Sequence, residues 1–260
     1  NIGIPVSRGY LNKICTQKIS AALAAPYEEA LEAIRHEPIV GSDETGVKNN
    51  GVLHWAWCLR AMNFTLFHID KSRGSKVLFD TLGNNFAGIM LVDYYNANRC
   101  YLRTSMASGQ YCWAHLIRDI QFVADTYTGP VRKWADYLLG IARTIFDIFH
   151  RRHEMTRRGY LREMNSWKRV FLREVRRPPD VREARNICNR FDDSGAEDYF
   201  RFIDVPGLEP TNNRTEQKIR LVAMDRRVTQ GTRSVNGKRW CERIWSVITS
   251  CKQQGTSAFD

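Results

Sequence analysis

No apolar run in this 260-residue chain approaches the roughly 20 residues that a membrane-spanning helix needs, so none is expected. No secretory leader opens it either. Asn1-Ile2-Gly3-Ile4-Pro5 has neither a basic start nor an apolar segment behind it, and the missing initiator Met reads as a fragment or a trimmed or processed chain. Cys-x-x-Cys is also absent. Seven cysteines lie scattered at 15, 58, 100, 112, 188, 241 and 251, and an odd, dispersed set reads as reduced thiols in a cytosolic protein rather than a disulfide framework or a structural zinc site. A hydrophobic content of 43% with 11% aromatics argues against a disordered chain. The length allows one large domain, or a domain with a subdomain inserted.

Acidic charge is scarce beside basic charge, and the net is +11. The excess is local. Between Arg143 and Arg190 fourteen basic residues, thirteen of them Arg, face six acidic ones, so this segment carries eight of the eleven net charges. The planar guanidinium suits two-point phosphate contact, and a local excess of it points to a polyanionic partner; the plainer alternative is a solvated helical face with internal ion pairs.

Apolar spacing predicts helices over residues 1–36, then shortens to strand period. Strands are expected at 37–43, 52–59 and 64–69, joined by hairpins through Lys48-Asn49-Asn50-Gly51 and Arg60-Ala61-Met62-Asn63. A helix follows over 75–82, stopped by Gly83. The continuous apolar run 88–92 reads as a strand buried on both faces, and a short strand is expected near 110–113. Three hairpin strands followed by helical crossovers imply a mixed sheet with helices on its faces, an order that fits an RNase H-like α/β sheet. From His115 to about Ile203 the pattern is helical. Stripes run Val131 to Phe149, Leu161 to Val175 and Val181 to Phe191, and the loop Asp192-Asp193-Ser194-Gly195 follows. A last helix is expected over 239–252. The organisation read from this is a helical segment at 1–36, a core at 37–118, a basic helical insertion at 119–205, and a return to the core at 206–260.

Three carboxylates stand out. Asp43 and Asp93 each end an apolar run, and Glu216 opens a helix. Carboxylate oxygens are hard ligands suited to Mg²⁺ or Mn²⁺. If strands 37–43 and 88–92 are parallel neighbours, Asp43 and Asp93 share one sheet edge, where ligands bind in α/β folds. Glu44 would point to the opposite face. Each acid also has a structural alternative: Asp43 as a turn residue, Asp93 as a helix cap, and Glu216 as the third-position partner of an Asn213 N-cap in a capping box.

Several motifs occur in order: Asp43-Glu44-Thr45, His54-Trp55-x-Trp57, Ser72-Arg73-Gly74, Asp93-x-Tyr95-x-Ala97, Cys112-Trp113-Ala114-His115, Asn212-Asn213-x-x-Glu216-x-x-x-Arg220, Gly231-Thr232-Arg233-Ser234 and Gln253-Gln254-Gly255. As a set they resemble the transposases of the insertion-sequence-66 family of bacterial elements, within the DDE and retroviral-integrase-like enzymes. The resemblance implies an RNase H-like core with an all-helical insertion between the second Asp and the Glu. It implies Asp43, Asp93 and Glu216 as a catalytic triad holding two Mg²⁺ ions, with Mn²⁺ as substitute. The implied reaction cuts element ends to give a 3′-OH and joins them to target DNA. DNA contacts are expected from Arg118, Lys218, Arg220, Arg226, Arg227, Arg233, Lys238 and Arg239, and active-site support from Cys112 and His115. Implied partners are the element's terminal inverted repeats, target DNA, a second copy in a homodimer, and accessory element-encoded proteins, in the cytoplasm at the bacterial nucleoid. Two other functions fit the same residues: a truncated, inactive DNA-binding or assembly protein, and a structure-selective RNase H-like nuclease. The sequence departs from the family where Tyr94 replaces the usual Gly and Asn98 a common aromatic.

Overall fold

The structure, a computed structural model, describes residues 6–192 and 195–258. The part of the N-terminal helical expectation on residues 1–5, and Asp193 and Ser194 of the expected loop, lie outside the described residues.

The chain opens with helices α1 (Arg8–Lys13), α2 (Ser20–Ala22) and α3 (Ala24–Ala33), the first two linked by a π-helical stretch. Next come β1 (Ile39–Asn49), β2 (Val52–Arg60) and β3 (Thr65–Asp70), then α4 (Lys76–Leu82), β4 (Ile89–Val92), α5 (Asn96–Thr104) and β5 (Ser108–Tyr111). The sheet order is β3-β2-β1-β4-β5. β1 and β2 pair antiparallel through a two-residue turn in which Asn50 and Gly51 take φ of 51° and 77°, the left-handed pair such a hairpin requires. β1 and β4 run parallel. This is the mixed, RNase H-like sheet that the order of hairpins and crossovers predicts.

One boundary differs from expectation in a way that matters. β1 does not stop at residue 43 but runs on to Asn49, because Glu44 to Asn49 pair with Trp57 to Val52. Asp43 therefore sits inside a strand and is not a turn residue.

A helical region follows: α6 (Trp113–Thr126), α7 (Gly129–His150), α8 (Arg157–Val175), α9 (Arg182–Cys188) and α10 (Gly195–Phe200). The chain closes with α11 (Asn213–Thr229) and α12 (Val235–Gln254). α12 begins four residues before the expected helix because Ser234 caps it, accepting the Gly237 N–H at 3.1 Å. Among the described residues no helix is long and apolar enough to cross a membrane.

The chain forms two compact units. The first holds the described residues up to Ser108 and from Asn212 on; the second is Gly109–Thr211. In the first, α11 and α12 cover one sheet face. Val47, Ala56, Cys58, Phe67 and Ile69 from the strands meet Ile219, Val222, Cys241 and Trp245 from the helices. Strand alternation selects these residues, since partners Asp43↔Cys58 and Cys58↔Phe67 share a face.

The second unit is organised around Trp113, which is fully buried. Its ring meets Phe171 and Phe200 at 5.1 Å, Phe146 at 6.1 Å, and Tyr199 and Phe202 at 6.4 Å, mostly edge to face. Its indole N–H donates to the Tyr199 carbonyl at 2.5 Å. Trp113→Ala is expected to cost about 3–5 kcal/mol, read from the urea midpoint, because it leaves a cavity and removes one of the two hydrogen bonds to the Tyr199 carbonyl, which Gln110 Nε2 also donates to at 3.2 Å. A loss below about 1 kcal/mol would show that this core does not depend on the ring.

Candidate active site

The parallel register sets two acids side by side. Gly41 of β1 pairs with Leu91 of β4, and Asp43 and Asp93 each follow their pair by two residues. The carboxyl of Asp93 is held in place: its Oδ1 accepts the Tyr95 N–H at 3.1 Å and the Asn98 Nδ2 at 2.7 Å. The residue capping α5 is Tyr95, so Asp93 is not a helix cap. Asn98 is 1% exposed, so this bond to Asp93 is made by a buried amide.

Glu216 reaches the same region through a close helix–strand contact. The buried Asn212 donates from Nδ2 to the Ser42 carbonyl at 2.8 Å, which pins the start of α11 beside Asp43. Thr215, 1% exposed, lies directly over Gly41. A Cβ on Gly41 would stand 2.1 Å from Thr215 Oγ1 and 2.9 Å from Asn212 Oδ1, so only glycine admits this packing. The N-cap of α11 is Asn212, with no side-chain capping bond, and Asn213 is already helical. The alternative capping box of Asn213 and Glu216 therefore does not form.

Electrostatics ties the three acids together. Burial pushes the Asp43 carboxyl up to about 7, and the carboxylates of Glu44, Glu216 and Asp93 add to the rise. The Glu44 N–H, donating to Asp43 Oδ1 at 2.9 Å, opposes it. Crowded carboxylates of this kind are relieved by a divalent cation, and the donor set is all hard oxygen, so these residues suit Mg²⁺ or Mn²⁺.

Glu44 takes the opposite face of β1 by alternation, as expected. Burial raises its carboxyl and the Asp93 charge adds to this; the pairing with Arg73 (Nε to Oε1, 2.9 Å) lowers it.

The expected DNA contacts divide. Arg226 donates to Thr45 Oγ1 at 2.9 Å and to the Gly46 carbonyl, and Lys238 donates to the Ile69 carbonyl at 3.0 Å, so both brace the sheet. Arg220, Arg227, Arg233 and Arg239 are exposed. Lys218 is half-buried; burial lowers its ammonium, and the charges of Arg60 and Lys252 lower it further. In the second unit Arg118 is exposed on α6. Cys112 is the buried N-cap residue of α6, and His115, half-buried, lies in its first turn. The basic segment is partly structural: Arg157 donates to the carbonyls of Ile203 and Asp204, and Arg176 to that of Phe191. Arg151, Arg158, Arg162, Arg169, Arg177 and Arg182 are exposed.

Gly41 and Asn98 carry no acid–base chemistry, and sequence reasoning gave neither a role. The only signal for Gly41 was a glycine inside a strand, which marks close approach by other atoms.

The family model described as Transposase IS66 family matches residues 1–239. No curated protein compared with the chain matches it. The match covers most of the sequence, and the chain belongs to that family.

Proposed function

Starting from that membership, we propose that the chain is the catalytic core of a DNA transposase, which cuts insertion-element ends to expose a 3′-OH and joins those ends to target DNA. One observation carries the reading. Acids from three distant segments lie within charge reach at Asp43, whose carboxyl burial and its neighbours push up to about 7. Asp43, Asp93 and Glu216 would hold two Mg²⁺ or Mn²⁺ ions. When bound, such a pair stabilises the attacking and leaving oxygens of an in-line phosphoryl transfer.

The remaining work falls to the chain's own groups. Asn98 and the Tyr95 N–H fix the Asp93 carboxylate. Asn212 and Gly41 hold the first turn of α11 on β1, so Glu216 keeps its place. Arg220, Arg227, Arg233 and Arg239 are available for phosphate contact, as are Arg118 and the exposed arginines between 151 and 182. Arg226 and Lys238 act by bracing the sheet. A cytoplasmic enzyme acting as a homodimer on paired element ends fits this chemistry.

The test is incubation with DNA carrying the element's terminal inverted repeats and Mn²⁺. The expected products are strands cut to a 3′-OH and strands joined to a second duplex. Cutting without joining would replace this reading with a nuclease. Binding without cutting would replace it with a non-catalytic DNA-binding protein.

A further inference from the structure

The Arg73 side chain lies between two aromatic rings, its guanidinium carbon 4.3 Å from the Trp55 ring centroid and 4.2 Å from that of Tyr95. Its Nε donates to Glu44 Oε1 at 2.9 Å, and the Glu44 side chain is only 3% exposed. The loop that presents Arg73 is itself held: the indole of the buried Trp57 donates to the Ser72 carbonyl at 3.2 Å, Ser72 N–H to Asp70 Oδ1 at 2.6 Å, and Gly74 N–H to Ser72 Oγ at 2.9 Å. The His54-Trp55-x-Trp57 and Ser72-Arg73-Gly74 motifs thus meet in one assembly. Trp57 anchors the loop, Trp55 supplies one ring of the stack, and Arg73 fills it.

The other ring belongs to the residue that orients Asp93. Tyr95 donates its backbone N–H to Asp93 Oδ1, and its ring is tied to the sheet through Arg73. A guanidinium flat against an aromatic face contributes about 0.5–2 kcal/mol, more as water is excluded. Glu44 orients the guanidinium in its plane. Resting on the metal-dependent reading above, we propose that Arg73 is a positioning residue: stacked on Tyr95 and anchored by Glu44, it fixes the loop after β4 so that Asp93 faces the divalent ions. Arg73 itself touches neither ion nor DNA.

The experiment is a Mn²⁺ titration of the full chain, following the spin resonance of the free ion, beside steady-state cleavage of element-end DNA. Asp93→Asn marks which binding belongs to the site. For Arg73→Gln the Mn²⁺ dissociation constant is expected to rise about tenfold or more, the range for groups that orient metal ligands, with kcat falling and KM for DNA holding. Arg73→Lys keeps a charge beside Glu44 but has no flat face, and is expected to show the same loss. The double variant Glu44→Gln/Arg73→Gln removes the buried unpaired charge and guards against misfolding. It is expected to melt near wild type yet still bind Mn²⁺ weakly.

Wild-type Mn²⁺ affinity in Arg73→Gln, full rescue by Arg73→Lys, or recovered affinity in the double variant would each overturn the proposal. A rise in KM for DNA with kcat unchanged would do so too, making Arg73 a DNA contact. If the wild type itself shows no Asp93-dependent Mn²⁺ binding, the transposase reading falls and takes this proposal with it.

Discussion

Asp93→Asn is expected to lower Mn²⁺-supported cleavage by about 10³-fold or more while leaving the protein folded. An amide at this position can still accept the Tyr95 N–H and the Asn98 Nδ2 on its oxygen, so the local hydrogen bonds survive. What disappears is one negative charge of three. Metal-borne charge stabilisation contributes several kcal/mol to phosphoryl transfer, and each tenfold in rate corresponds to about 1.4 kcal/mol, which sets the size of the loss. Glu216→Gln should behave alike, because the start of α11 is held on β1 by Asn212, which donates to the Ser42 carbonyl. Single-turnover cleavage, with the melting temperature as control, measures both. Cleavage within tenfold of wild type in a folded Asp93→Asn protein would take Asp93 out of the mechanism.

The second large effect comes from a residue with no side chain. Gly41→Ala puts a methyl group 2.1 Å from Thr215 Oγ1 and 2.9 Å from Asn212 Oδ1, both belonging to buried residues. The strand is bound on both sides, by β2 and β4, so the start of α11 must move instead. Overpacking of this kind costs about 1–3 kcal/mol of stability. The effect on rate is larger, because an ångström of misplacement at a reacting centre can cost about 10²-fold, and Glu216 moves with Thr215. A roughly 10²-fold slower enzyme with a modest loss in urea midpoint is the expected result. Adding Thr215→Ala removes the nearest clash, leaving Asn212 Oδ1 at 2.9 Å and the residue-215 Cβ at 3.4 Å, and should restore part of the rate. A Gly41→Ala protein as fast as wild type would show that this contact does not place Glu216.

The placement of Asp43 and Asp93 in the candidate site could be read from the sequence because it depends on local pattern. The apolar runs ending at Asp43 and Asp93, with hairpin linkers between the early strands, were enough to predict parallel neighbours, and β1 and β4 are parallel. The failures share a cause. The true extent of β1 depends on its partner strand, not on its own composition, so the run beyond Asp43 was invisible. Asn212 and Asn213 are chemically identical as caps. Which of them begins α11 is decided by a carbonyl 170 residues away, at Ser42. Arg226 and Lys238 look like solvated cations in sequence, and only the fold shows the carbonyls they bind. Asn98 looked like a departure from the family, yet it holds the second acid.

The position of the second unit within the chain has a consequence for biosynthesis. Asp43 and Asp93 leave the ribosome first, and Glu216 follows only after the whole of Gly109–Thr211 has been made. At about 5–20 residues per second, that delay is on the order of ten seconds. Throughout it the nascent chain carries two of its three acids and lacks the α11 turn that completes the set. A polypeptide released early by a stalled ribosome or a nonsense codon before Asn212 carries the residues of the five strands but no third carboxylate. If the three acids act together as proposed, the site is incomplete until α11 has been made.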